Sequence, residues 1–202
     1  MSHKSKLKRW GIGLLLYVSA VLVGLGSAFW VLKSAPWMNN SVTVGAWKSN
    51  MRAGSQTADL YTRASIALNA LLALGRDETM YFVATHDDRG RTLKSACHYL
   101  VQGAPPKARW WSITAYGDDL YLFDAPNRHY SLNGSTAKLD SAGQFHLVTG
   151  SQEPDSSYGF WLPTPGKSGL VLTLRLYNPD AALQTSPTSL QPPTIQVLGA
   201  CP

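Results

Sequence analysis

Three arginines, Arg109, Arg128 and Arg175, are the residues here best suited to do chemistry. A guanidinium is costly to bury unless a carboxylate or carbonyl meets it. Arg175 stands inside an alternating apolar run, Gly169-Leu170-Val171-Leu172-Thr173-Leu174-Arg175-Leu176-Tyr177. It is therefore either half of an ion pair within the fold or a receptor for something outside it. The receptor reading gathers Arg128, Arg175, Trp161, Tyr116 and Tyr177 around a cleft that could hold a sugar or an anionic headgroup. Aromatic faces and planar donors suit such ligands. Internal pairing is the commoner use of such an arginine, and it is the reading to beat.

Other chemistries find less support. Gly166-Lys167-Ser168 resembles the end of a phosphate-binding loop, but Trp161 stands where the leading glycine is needed. No G-x-S-x-G elbow occurs. His86, His98, His129 and His146 lack metal-ligand spacing, and no cofactor is implied. Asp87-Asp88 and Asp118-Asp119 could serve glycoside hydrolysis as paired carboxylates. Both pairs fall in turn-like stretches, where Asp is common because it bonds to its own backbone.

These side chains need a β scaffold. In Arg109-Trp110-Trp111-Ser112-Ile113-Thr114-Ala115-Tyr116, period two puts Trp111, Ile113 and Ala115 on one face and Trp110, Ser112, Thr114 and Tyr116 on the other. The Leu170 run divides likewise, with four leucines against Val171, Thr173, Arg175 and Tyr177. From Thr79 onward, strand signals recur every eight to twelve residues between turn residues, the rhythm of a sandwich or closed barrel. Strands are expected over 79–86, 93–102, 120–123, 129–132, 136–139, 143–149 and 194–197. Asp59 offers an N-cap for a helix to about Leu74, whose stripe Leu60, Ala64, Ala67, Leu68, Leu71 and Leu72 would lie on a sheet.

The N-terminus places this scaffold. Trp10 to Leu32 is apolar and uncharged, bracketed by Arg9 and Lys33, and a helix that long spans roughly 30 Å of hydrocarbon. Four of the 18 Lys and Arg (Lys4, Lys6, Lys8, Arg9) precede it; 14 remain against 12 Asp and Glu. The charge excess thus belongs to membrane topology and not to a nucleic-acid surface, and it keeps the N-terminus cytoplasmic. A cleaved signal peptide would use Gly26-Ser27-Ala28, but the apolar run continues past that point, so an uncleaved anchor is expected. The expected organisation is a cytoplasmic tail over 1–9, a transmembrane helix over 10–32, a juxtamembrane tether over 33–57 that passes into a short strand or turn at Ser41 to Gly45, and an exported domain over 58–202. Cys97 and Cys201 both fall on the exported side, where two cysteines of one domain usually bond.

The ordered set Leu60-Tyr61-Thr62-Arg63-Ala64, Glu78 to Tyr81, Ala108 to Tyr116, Asn127-Arg128, Trp161-Leu162-Pro163, Leu174 to Tyr177 and Pro192-Pro193 resembles the domain-of-unknown-function 1214 family. The family usually has Asn before Trp-Leu-Pro; here Gly159-Phe160 precede Trp161. The resemblance implies a jelly-roll-like β-sandwich, with one flanking helix and the single transmembrane helix ahead of it. It implies a bacterial inner-membrane protein facing the periplasm. It also implies a companion of the domain-of-unknown-function 1254 type, and it assigns no catalytic residue. The expected function is a binding or assembly module of the cell envelope, partnered by the bilayer through 10–32 and by a second anchored envelope protein. The alternative is an envelope enzyme acting on a glycan or lipid through the arginine-aromatic cleft.

Overall fold

The computed structural model describes residues 3–34, 41–68, 74–155 and 159–201. The chain divides into two compact units, Met1–Asn39 and Asn40–Pro202. The first is built on helix α1 (His3–Ser34). Its stretch Arg9–Val31, 23 residues with a mean hydropathy of 2.1, is long and apolar enough to cross a bilayer. Leu14, Leu15, Tyr17, Leu22, Val23 and Phe29 are all exposed. Lipid is the environment the composition of this apolar helix suits.

The second unit holds ten strands among the described residues: β1 (Ser41–Val44), β2 (Trp47–Asn50), β3 (Thr79–Ala84), β4 (His98–Gly103), β5 (Ala108–Gly117), β6 (Ser131–Asn133), β7 (Phe145–Gly150), β8 (Phe160–Pro163), β9 (Leu170–Pro179) and β10 (Thr194–Leu198). They form a six-stranded sheet in the order β1-β2-β3-β9-β5-β6 and a four-stranded sheet in the order β10-β4-β7-β8. The alternating runs read from the sequence lie side by side at the centre of the larger sheet. Trp111 pairs with Leu176, Ile113 with Leu174 and Ala115 with Leu172, and all six are buried. Tyr99, Val101, Phe145, Leu147, Leu162 and Ile195 of the smaller sheet join them in one core. Trp111 meets Phe145 across it, ring centroids 4.7 Å apart.

Several elements differ from the sequence expectation. The short strand or turn expected at Ser41 to Gly45 is β1, and residues 47–50, read as tether, are β2 of the larger sheet, with Trp47 fully buried; Pro36 and Trp37 lie outside the described residues. The first described turns of helix α2 (Leu60–Leu68) are capped as expected, Thr62 N–H donating to Asp59 Oδ1 at 2.7 Å. Thr62 is its buried residue, however, with Ala58 buried just ahead of it, while Leu60 is 84 % exposed and Ala67 exposed. Leu71 and Leu72 lie outside the described residues. Strand β4 starts at His98 because Lys94 to Cys97 make a turn, Cys97 N–H donating to Lys94 O. Segments 120–123 and 136–139 contribute only the isolated bridges of Leu122 with Tyr116 and Leu139 with Phe145. Strand β8 pairs parallel to β7, and no closed barrel forms among the described strands. A short helix the sequence did not announce, α3 (Ala181–Thr185), is capped by Asp180, whose Oδ1 accepts from Leu183 N–H.

Cys97 and Cys201 are bonded, with Cα atoms 4.9 Å apart and 104 residues of separation. The turn after β3 is organised by Asp87. Its Oδ1 accepts from the N–H groups of Arg89 and Arg91 and its Oδ2 from Arg91 Nε, all at 2.8–2.9 Å. Burial pushes the Asp87 carboxyl up, but the bonds from Arg91 and Arg89 outweigh it and hold the group below the ordinary carboxylate range. A carboxyl depressed in the folded state adds stability above its unfolded value, near 3.9, and loses it as the pH falls through the lower folded value. Asp87→Ala should therefore cost roughly 1–3 kcal/mol at neutral pH, from the loss of three part-buried bonds to a buried carboxylate. The gap to the parent chain should close in urea titrations below about pH 4. A gap unchanged at low pH would remove the carboxylate from the account.

Candidate functional site

The outward face of the larger sheet is where the chemistry collects. Cross-strand register lays it out in rows. Lys48, Val83, Thr173, Thr114 and Ser131 follow one another from β2 to β6. The next row is Tyr81, Arg175, Ser112 and Asn133, and the next is Thr79, Tyr177 and Trp110. The two polar-aromatic faces read separately from β5 and β9 are thus one continuous face. No position in these rows is Asp or Glu.

Arg175 is at its centre, half-buried. Its Nη1 donates to Thr114 Oγ1 at 3.2 Å and its Nη2 to the Tyr116 hydroxyl at 2.8 Å. Its guanidinium carbon lies 5.5 Å from the Tyr116 ring centroid. Thr114, Thr173 and Ser112 are buried beneath this layer of longer side chains. Trp110 and Tyr177 pack with centroids 5.2 Å apart, and the indole Nε1 donates to Ser135 Oγ at 3.5 Å. All 12 acids of the chain lie among the described residues, and none forms an ion pair with Arg175. The internal ion pair weighed from the sequence is absent; two neutral hydroxyls take its place.

Of the five residues grouped from the sequence, the structure brings Arg175, Tyr116 and Tyr177 onto this face. Trp161 lies on β8 of the smaller sheet, alternating with Phe160 and Leu162, which pack on the core, and its Nε1 donates to Gly150 O at 3.2 Å. Arg128 is exposed in a turn at φ 56°, a left-handed conformation uncommon for arginine. Its neighbour His129 stacks on Phe160 with centroids 4.8 Å apart. Arg109 is exposed on β5. Lys48, Tyr81 and Trp110 complete the face. Tyr81 and Trp110 sit in alternating runs and Lys48 in a four-residue strand, but the place of each on this face depends on strand order.

The paired carboxylates have structural duties. Asp88 Oδ2 accepts from Ile195 N–H at 2.8 Å, covering the edge of β10. Burial pushes Asp88 up, the Ile195 bond draws it down and the nearby Asp87 charge pushes it up again; burial prevails. Asp119 Oδ1 accepts from Tyr121 N–H. Among the described residues no three His, Cys, Asp or Glu gather as metal ligands. A cavity of about 10 Å³ lies between β2 and β3, lined by Ser49, Asn50, Arg76 and Tyr81 among others, at the margin of the face and far too small for a substrate.

A family model described as "Protein of unknown function (DUF1214)" matches residues 78–181. Among solved structures, the VPA0106 protein from Vibrio parahaemolyticus is 24 % identical with a TM-score of 0.57, a likeness of fold. The match covers 71 % of this chain and 36 % of that one, so the present chain spans about a third of that protein's length. An uncharacterized protein from Burkholderia cenocepacia is 14 % identical with a TM-score of 0.39, covering 59 % of this chain and 29 % of that one. No curated protein matches.

Proposed function

Since the chain belongs to the DUF1214 family of proteins of unknown function, we propose its role from its own geometry: a single-pass anchored protein of the bacterial inner membrane that presents a periplasmic binding module. The observation that carries the reading is the outward face of the larger sheet, where Arg175, Tyr116, Tyr177 and Trp110 meet with no acid among them. Tyr, Trp and Arg are the residues that dominate binding energy at protein surfaces, and Asp and Glu are depleted there.

Support for the periplasmic orientation comes from the basic block before Trp10 and from the Cys97–Cys201 bond, which suits an oxidising compartment. The jelly-roll-like sandwich reading draws on the two sheets sharing one core; the parallel β7–β8 pair is its point of departure from an all-antiparallel plan. A second anchored envelope protein, of the domain-of-unknown-function 1254 type, is the partner this reading assigns. A glycan- or lipid-directed enzyme needs a concave site, and Trp161 lies in the smaller sheet, away from the strands that carry Arg175.

Photo-crosslinking in intact cells tests the module. A photoreactive residue at position 110 should give a discrete adduct, and one at exposed Gln196 on the smaller sheet should give none. Protease added to spheroplasts should remove domain and adduct together. Equal labelling from both positions would sink the binding face, and full protection would reverse the orientation.

A further inference from the structure

We propose that the acid-free face of the larger sheet docks a separate protein that sets an Asp or Glu carboxylate on the Arg175 guanidinium. The inference rests on the binding-module reading and names the chemistry of its partner. A guanidinium carries five N–H donors in a rigid fork. Here the two described bonds, to Thr114 Oγ1 and the Tyr116 hydroxyl, go to neutral acceptors and leave the charge uncompensated. In the free protein water supplies the balance, because Arg175 is only half-buried. A surface that covers it displaces that water, and the desolvated cation then needs an anion in contact. A carboxylate fits the fork with two parallel bonds.

Shape and charge select the occupant. Small-molecule and sugar sites are concave, whereas this face follows six hydrogen-bonded strands. Its exposed aromatic, Trp110, is 37 % accessible and braced by Tyr177, an anchor of the kind that fills a protein pocket. A second copy of the chain presenting the same face is a poor match, since it would bring Arg175 against Arg175 and offers no acid in these rows. The complementary charge must come from another protein or from a different surface.

A zero-length crosslink reads the proposed contact directly. Carbodiimide joins a carboxylate to an amine in contact with it and leaves arginine untouched. The amine introduced by Arg175→Lys in the full-length protein, in native membranes, should therefore couple to an acid of the partner. Mass spectrometry should find the peptide spanning position 175 joined to an Asp- or Glu-containing peptide of another protein, at least about tenfold above the parent chain, whose Lys48 gives the background. Arg175→Gln should weaken retention of the same protein by about thirtyfold, with Arg89→Gln, exposed in the turn after β3 and outside these rows, unchanged and the thermal midpoints of all three within a few degrees. A crosslink only to this chain's own acids would overturn the inference in favour of an internal pair. Adducts from position 110 that are proteins but survive Arg175→Gln unaltered would leave a binding face without the carboxylate contact. Adducts that are glycan or lipid, or none from either probe, would overturn the protein partner and, in the last case, the module with it.

Discussion

Cys97→Ser with Cys201→Ser lowers the unfolding free energy of the β unit by about 2–5 kcal/mol, the usual cost of losing a native disulfide; chain entropy alone gives about 4.7 for a loop near 100 residues. The bond joins Cys97, fully buried just before β4, to Cys201, exposed three residues after β10. It therefore ties the last strand to its ladder partner at the end where Leu198 pairs with His98. Strand β10 has other restraints: Ile195 is fully buried, and Asp88 holds its backbone from the edge. The loss should thus be graded along the strand. Amide protection should fall most at Val197 and Leu198 and least at Ile195, while the urea midpoint of the detergent-solubilised chain drops and the slope rises, because the unlinked denatured chain is less compact. Stoichiometric thiol labelling of both cysteines in the denatured, unreduced parent chain would contradict the bond itself.

Period-two alternation made the centre of the fold legible. The residues of β5 and β9 were assigned to the correct faces because each strand is ten residues long and buries one side against leucines. Alternation says nothing of which strands are neighbours, so the sequence grouped Trp161 with Arg175 although they lie in different sheets. It also set Arg175 against an internal acid, when β5 supplies two hydroxyls. Short elements were hardest to see. Strands β1 and β2 have four residues each and a two-residue turn at Gly45-Ala46, so Ser41 to Gly45 read only as a short strand or turn and β2 did not register. The α2 stripe had helical spacing, yet Thr62 is buried and Leu60 exposed. Spacing gives a face; packing decides which way it points.

Trp47→Ala is expected to be the most damaging single substitution in the β unit, at about 3–5 kcal/mol for the lost side chain and its cavity. Leaving an acceptor without its donor should add roughly 1–3 kcal/mol. The indole is fully buried, and its Nε1 donates to Pro193 O at 2.7 Å. That carbonyl belongs to a Pro-Pro segment that cannot donate to a ladder from its own backbone, so the contact ties the approach to β10 onto the N-terminal hairpin. Two glycines show how closely the segment is held. A Cβ at Gly103 would stand 3.0 Å from Pro193 Cα, and one at Gly45, at φ +59°, would stand 3.3 Å from Pro192 Cγ. Trp47 therefore joins elements 146 residues apart, and its removal should free both partners. Trp47→Phe separates the two contributions: it restores much of the volume and none of the bond, so its loss should lie well below that of Trp47→Ala. Urea titration of the three chains, with hydrogen exchange over β1, β2 and 192–198, reads both effects. Should Trp47→Ala cost under about 1 kcal/mol, well short of a core truncation, the hairpin would be an appendage and not a wall of the core.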